Sequence, residues 1–327
     1  MTGIDTTPLV HTFSEADARS VLPRRDAGAH KWGVGGLMIF AGAPGYIGAV
    51  ALCAMAAGRA GAGIVNLAVS RGLVGPISAL GPEAGFTHLP DADIGSMGRR
   101  INDAIAKKAE KCAAFVIGPG LGEDEFATGL VHSLLGLAAS GPTSRLGFGT
   151  AAPHAASEST SLLQFEKPIV VDADGLNALA KFDAWPESVP DFSLVLTPHV
   201  GEFSRLTGKL TEEIIADPRA AAVAASRTFK QTIVLKGNPT LVTDGSVVVM
   251  AADSPASLAT AGSGDVLAGV IGAFLAQGLS AIDAASLAAY AGVRAARRLE
   301  EDLGTLGVIA SDLPRAIAVE LAALERA

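Results

Sequence analysis

Ala259-Thr260-Ala261-Gly262-Ser263-Gly264-Asp265-Val266-Leu267-Ala268-Gly269 joins a glycine-bearing turn to an apolar run that continues as Val270-Ile271-Gly272-Ala273-Phe274-Leu275. Gly262 and Gly264 leave backbone N–H groups uncovered where a buried helix begins. Such a helix start attracts anions, and glycine lets a phosphate come close. In an open α/β sheet this arrangement belongs at the carboxyl ends of the strands, where ligands collect. Asp265 falls in the first turn, where its charge would repel a phosphate. Its place makes sense as a base taking a proton from a hydroxyl about to attack phosphorus. A plainer reading stays open, in which Ser263 or Asp265 only caps the helix. A first-turn surface acid contributes little to folding, so Asp265→Asn is expected to leave the fold intact.

The rest of the chain repeats a strand–helix alternation. Leu37–Ala41 is a short apolar run closed by Gly42-Ala43-Pro44-Gly45, and an alanine-rich helix is expected from Ile47 to Ala60. Gly61-Ala62-Gly63 stops that helix ahead of a strand at Ile64–Val69. Similar strands recur at Ala114–Gly118, Pro168–Asp172, Ser193–Thr197 and Thr232–Lys236. Continuous apolar strands separated by helices predict a mostly parallel sheet covered on both faces, a three-layer αβα architecture. Thr240–Met250 departs from that pattern: two β-rich runs joined by Asp244-Gly245 predict an antiparallel hairpin at one edge. Helices are expected near Ala281–Leu299 and Leu313–Arg326, and a short amphipathic one at Phe13–Arg19. Ser140–Ser161, rich in Ser, Thr, Gly and Pro, reads as a loop, and residues 1–327 as one domain.

Composition narrows the partners. Hydrophobic residues make up 49% of the 327 and aromatics only 5%, so the core must be built from Ala, Val, Leu and Ile. A net charge of −8 argues against a nucleic-acid partner, which would need a basic face. Two cysteines, Cys53 and Cys112, are too few for a disulfide scaffold and point to a reduced, cytoplasmic setting. No secretory signal is expected at the N-terminus. The longest apolar runs fall short of the ~18 residues a membrane span needs, so no membrane partner is expected.

Residues able to carry chemistry cluster at the strand ends. Val116-Ile117-Gly118-Pro119-Gly120-Leu121-Gly122 is a glycine-rich strand exit, or simply a tight turn. Asp172 and Asp174 end the next strand; Asp172 can approach a phosphate or its magnesium, and Asp174 can cap a helix. Leu196-Thr197-Pro198-His199-Val200-Gly201-Glu202 offers a ligand-binding or water-steering His199, or an ordinary capped helix start. Lys236-Gly237-Asn238-Pro239-Thr240 can reach a nucleotide's phosphate, or is a turn with a surface charge. Taken together, four strand ends and a glycine-lined helix start favour a phosphate-bearing ligand.

Ala259–Gly269 resembles the signature of the ribokinase-like superfamily. Within it, Val171–Asn177, Leu196–Glu202 and Leu235-Lys236-Gly237 resemble the ADP/ATP-dependent NAD(P)H-hydrate dehydratases. So do Leu22-Pro23-Arg24-Arg25, His30-Lys31, Gly45-Tyr46-Ile47-Gly48-Ala49 and Arg59-Ala60-Gly61-Ala62-Gly63. The resemblance runs from about residue 14 to the C-terminus. It implies nucleotide-dependent dehydration of the S-epimer of NAD(P)H-hydrate back to NAD(P)H, by phosphorylation of the C6 hydroxyl and elimination of phosphate. By the same resemblance Ala49, Gly120, His199 and Asp265 contact the hydrate, while Lys236, Gly237, Asn238, Pro239, Thr240 and Gly264 hold the adenine nucleotide. Ala261, Gly262, Ser263 and Gly264 would form the anion hole and Asp265 the base. ADP or ATP with Mg²⁺, near Asp172 or Glu202, would be the cofactors. A homo-oligomer, by resemblance a tetramer, is expected, and the small residues of Gly48–Ala60 suit helix packing between subunits. Many members carry an epimerase domain in front; this chain looks like the stand-alone form.

Three positions depart from the family pattern. Asp253–Leu258 stands where Gly-Asn-Pro-Gly-Met is usual, Trp32 follows Lys31, and Val200 replaces a common proline. Two other functions use the same loop: a kinase of a small alcohol such as hydroxymethylpyrimidine or hydroxyethylthiazole, and a nucleotide-binding module without catalysis.

Overall fold

The computed structural model describes residues 8–89, 105–137, 161–251 and 254–326. The expected loop at 140–161 lies outside them except for Ser161.

Apolar side chains on both faces of each run leave it no solvent side, so the runs become interior strands. Among the described residues the strands, interior and edge, are β1 (Leu9–Thr12), β2 (Gly36–Phe40), β3 (Ile64–Ser70), β4 (Gly85–Leu89), β5 (Ala114–Ile117), β6 (Ile169–Val171), β7 (Leu194–Leu196), β8 (Thr232–Leu235), β9 (Leu241–Thr243) and β10 (Val247–Met250). They form one ten-stranded sheet in the order β1-β10-β9-β8-β7-β6-β5-β2-β3-β4. Its side chains alternate between two cores. Leu37, Ile39, Val116 and Val170 enter one, and Met38, Phe40, Phe115 and Val171 the other.

Helices cover both faces. On the first lie α1 (Glu15–Val21), α2 (Ile47–Arg59) and α3 (Val74–Leu80). The second is covered by α4 (Glu125–Leu134), α5 (Asp174–Leu179), α6 (Trp185–Ser188), α7 (Val200–Thr207), α8 (Thr211–Ala216) and α9 (Pro218–Phe229). The chain then returns to the first face as α10 (Ser263–Ala276), α11 (Ala281–Gly307) and α12 (Leu313–Arg326). This is the expected three-layer α/β architecture.

The Asp244-Gly245 turn forms as its sequence requires: Gly245 has φ +88°, and Asp244 Oδ1 accepts the N–H groups of Ser246 and Val247 at 2.8 and 3.0 Å. β9 runs antiparallel to both β8 and β10. The hairpin is not the outermost element, however. β1, which the sequence did not announce, pairs parallel with β10 and forms the edge.

The alanine-rich α2 is used inside the chain. A Cβ on Gly269 would stand 2.2 Å from the Cys53 carbonyl oxygen, so α2 and α10 pack backbone to backbone. The small-residue face expected to suit packing between subunits is therefore largely buried within the chain. Both cysteines are free and buried. No helix among the described residues is long and apolar enough to cross a membrane.

Candidate active site

Strands β5 to β8 run parallel, so their carboxyl ends and the loops that follow share one edge of the sheet. Glycine lets those loops touch. Gly118, at φ +129°, would drive a Cβ to 1.7 Å from the Asp172 carbonyl oxygen. The end of β5 can lie against the end of β6 only without a side chain there.

A buried charge cluster forms at this edge. Asp172 is 1% exposed, and its Oδ1 accepts the Thr197 hydroxyl at 2.7 Å and the Lys236 ammonium at 2.8 Å. Lys236 Nζ also stands 3.6 Å from Glu202 Oε2. Burial works against the lysine's charge, but Asp172 and Glu202 outweigh it and hold the ammonium above its ordinary pKa. The Oδ2 of Asp172 has no hydrogen-bond partner among the described residues. It faces Gly264, where a Cβ would lie 4.0 Å from it and 3.4 Å from Lys236 Nζ.

Asp265 completes the cluster. Burial raises its pKa to about 7, and the nearby charge of Asp172 raises it further than Lys236 lowers it. No hydrogen bond from the described residues reaches its carboxylate. The expected surface position is thus corrected: Asp265 is a half-buried acid beside another acid, poised to gain or lose a proton near neutral pH.

The glycine turn leaves backbone donors uncovered. Gly262, at φ +94°, is the N-cap residue of α10, with no side-chain cap. Ser263 does not cap, because its hydroxyl turns back to donate to the carbonyls of Leu258 and Thr260, each at 2.9 Å. Nor does Asp265 cap. Among the described residues nothing accepts the N–H groups of Ala261, Gly262, Gly264 and Asp265, whereas Ser263 N–H is engaged by Thr260 O at 3.3 Å. Orphan N–H groups at a helix start are an electropositive cradle. Ser263 is the one expected donor already occupied.

His199 forms the capped helix start that the sequence allowed, and it also lines the cavity that opens beside the cluster. It is the N-cap residue of α7: Nδ1 accepts the N–H groups of Gly201 at 2.9 Å and Glu202 at 3.2 Å, and Glu202 Oε2 accepts the His199 N–H at 2.8 Å. Its side chain still stands 55% exposed, with Nε2 3.4 Å from Glu202 Oε1. Two bonds into Nδ1 put the proton of the neutral ring on Nε2. Asp174 does not cap its helix; its Oδ2 accepts the Gly122 N–H at 2.8 Å and pins the β5 loop to α5.

Beside the cluster opens a cavity of about 540 Å³, lined by His199, Lys236, Gly237, Asn238, Thr240 and Gly264 at its polar end. Leu258, Val266, Val270, Val293 and Leu313 make the remainder apolar. Ser254, in the segment that departs from the family pattern, closes onto it, donating through N–H to Asn238 Oδ1 at 2.8 Å and through its hydroxyl to Gly237 O at 3.3 Å. A flat apolar heterocycle with a phosphate tail suits a cavity of this size and lining.

Ala49 and Gly120 meet on the other side. A Cβ on Gly120, which has φ +61°, would stand 3.0 Å from Ala49 Cβ and 2.7 Å from Tyr46 Cβ. Leu52, one turn after Ala49, lies against Gly262. The first turn of α2 thus adjoins the anion cradle.

A family model described as NAD(P)H-hydrate dehydratase matches residues 37–140 and 146–318. The ADP-dependent (S)-NAD(P)H-hydrate dehydratase of Neisseria meningitidis is 33% identical over 297 residues, covering 90% of this chain and 87% of that protein. The chain belongs to the NAD(P)H-hydrate dehydratase family. Another relative in that family, the bifunctional NAD(P)H-hydrate repair enzyme of Moorella thermoacetica, is 35% identical over 303 residues. That match covers 92% of this chain but 52% of the bifunctional protein, so the chain spans about half the length of such relatives. The crystal structure of the ADP/ATP-dependent NAD(P)H-hydrate dehydratase of Bacillus subtilis, co-crystallised with ATP and Mg²⁺, aligns with a TM-score of 0.73 at 24% identity. It covers 96% of this chain and 98% of that one, and shows that this family member has the ribokinase-like fold.

Sequence reasoning missed three features here. Lys236 and Asp172 lie 64 positions apart, and no local pattern announces their pairing. The Asp174–Gly122 bond crosses 52 positions in the same way. Nothing in the first turn of a helix states that its acid will be buried.

Proposed function

We propose that the protein restores NAD(P)H from the S-epimer of its hydrate at the expense of ADP or ATP. The observation that carries this reading is a single juxtaposition. Asp265, with a pKa raised to about 7, lies in the first turn of a helix at whose start the N–H groups of Ala261, Gly262 and Gly264 are unpaired among the described residues. Its neighbours Ser263, Gly264 and Val266 line an apolar cavity. A base, an anion cradle and a nucleobase-sized pocket within one edge are the parts that phosphoryl transfer to a hydroxyl requires.

The nucleotide lies in the cavity with its adenine among the apolar side chains and its terminal phosphate on the N–H groups of Ala261, Gly262 and Gly264. Lys236–Thr240 hold its phosphates and ribose. Ala49, Gly120 and His199 wall the hydrate, and Asp265 accepts the proton of its C6 hydroxyl as that oxygen attacks phosphorus. The phosphate formed on C6 then leaves as the ring nitrogen's lone pair pushes it out and C5 gives up a proton, which regenerates the dihydronicotinamide. Inorganic phosphate and the shortened nucleotide are the other products.

Magnesium fits this site in a limited way. Among the described residues no three His, Cys, Asp or Glu side chains are grouped to cage a metal. Mg²⁺ in phosphoryl-transfer sites usually needs only one or two carboxylates besides phosphates and waters. The unpartnered Oδ2 of Asp172, with Glu202 nearby, supplies that number. A bound ion would offset phosphate charge there.

In this reading the protein works in the cytoplasm as a homo-oligomer. Purified protein mixed with NADH-hydrate, Mg²⁺ and either ADP or ATP tests the activity. Recovery of the reduced-nicotinamide absorbance that depends on nucleotide is the expected result, and the better nucleotide names the donor. No recovery with either would overturn the reading in favour of a small-alcohol kinase or a binding module.

A further inference from the structure

Tyr46 is 58% exposed, although aromatic side chains bury the largest apolar area available to a chain with so few of them. Among the described residues one other aromatic side chain, Phe192 at 53%, is comparably exposed. Phe192 precedes β7 and so lies at the amino edge of the sheet, away from the site. Tyr46 lies at the carboxyl edge. Its backbone is fixed, since its N–H donates to Ala43 O at 2.8 Å and its carbonyl accepts the Ala49 N–H at 3.2 Å. Its Cβ presses on Gly120 so closely that any side chain at 120 would stand 2.7 Å from it. No ring contact and no hydrogen bond holds its side chain among the described residues. A fixed backbone, an unengaged aromatic ring and a glycine that makes room for both occur where the hydrate is placed.

We propose that Tyr46 is a substrate-positioning residue whose ring stacks on the hydrated nicotinamide ring and holds it against Gly120 and Ala49. The inference rests on the dehydratase reading above. The hydrated ring keeps a flat conjugated face only over N1, C2, C3 and the carboxamide, and an aromatic ring laid on that part contributes affinity by apolar contact that does not need the phenol hydroxyl. Tyr46 touches the ring and moves no proton; Asp265 keeps that role.

The test compares wild type, Tyr46→Ala and Tyr46→Phe on NADH-hydrate and on the hydrate of reduced nicotinamide mononucleotide, which lacks the adenosine half. Stacking predicts that Tyr46→Ala raises KM for both hydrates about tenfold or more. KM for the nucleotide, kcat, melting temperature and particle mass should stay within about twofold or unshifted, and Tyr46→Phe should restore the wild-type KM. An unchanged hydrate KM in Tyr46→Ala overturns the proposal while leaving the dehydratase reading intact. A penalty confined to the full dinucleotide overturns it too, because the ring would then meet adenine. A changed particle mass assigns Tyr46 to a subunit contact instead. Wild type that restores neither hydrate removes the dehydratase reading and the proposal with it.

Discussion

Asp265 carries two consequences at the scale of a single residue. Its pKa rises on folding from 3.8 to about 7, so the native state holds that proton more tightly than the unfolded chain does. Stability from this group is therefore lost as pH climbs from about 4 through about 7, and the deficit is complete above that range. Asp265→Asn removes the buried charge. It should raise the melting temperature at pH 8 by a few degrees and leave it unchanged near pH 4, as thermal denaturation across that range would show. The effect contrasts with the neutral outcome expected of a surface acid. In its proposed role as base Asp265 must be ionised, so kcat/KM for the hydrate should fall about tenfold per unit as pH drops below about 7. A profile flat from pH 5 to 8 would remove Asp265 from the role of base.

At the scale of elements, the contact between α2 and α10 holds the cradle in place. Gly269 has no room for a methyl group, since a Cβ would sit 2.2 Å from backbone at Cys53. Gly269→Ala should destabilise the fold by about 1–3 kcal/mol, measured by denaturant unfolding, as the two helices are forced apart. The elements themselves were largely legible. Six interior strands announced themselves as apolar runs because both of their faces are covered, and each begins or ends within a residue of its expected bound. β1 escaped because its four residues, Leu9–Thr12, are all exposed and carry no alternating or continuous apolar signal. The glycine turn with its unpaired N–H groups was legible because glycines and a first-turn acid are local features. The Asp172–Lys236 pair, the burial of Asp265 and the Asp174–Gly122 tie were not, since each depends on strands that only the folded sheet makes neighbours.

Across the whole molecule, the site divides between two sides of one sheet edge. The cavity proposed for the nucleotide lies by β8, α10 and α11, and the Ala49–Gly120 contact proposed to wall the hydrate lies by β2 and β5, with Asp265 and the glycine turn between them. Each side should therefore bind without the other. ADP or ATP alone should raise the melting temperature of the wild type in proportion to the logarithm of its concentration. Gly264→Ala should abolish that rise while itself melting near the wild-type temperature, because its Cβ would fill the space beside Lys236 Nζ without touching backbone. A nucleotide-induced rise that survives Gly264→Ala would place the phosphates elsewhere.

The central claim is that Asp265 drives a phosphorylation whose product eliminates phosphate. It is tested most directly by following NADH formed and inorganic phosphate released together, in wild type and in Asp265→Asn. The wild type should give one phosphate per NADH recovered, and the variant should be slower by at least about a hundredfold. Nucleotide consumed without NADH, or an Asp265→Asn variant near wild-type rate, would contradict the claim.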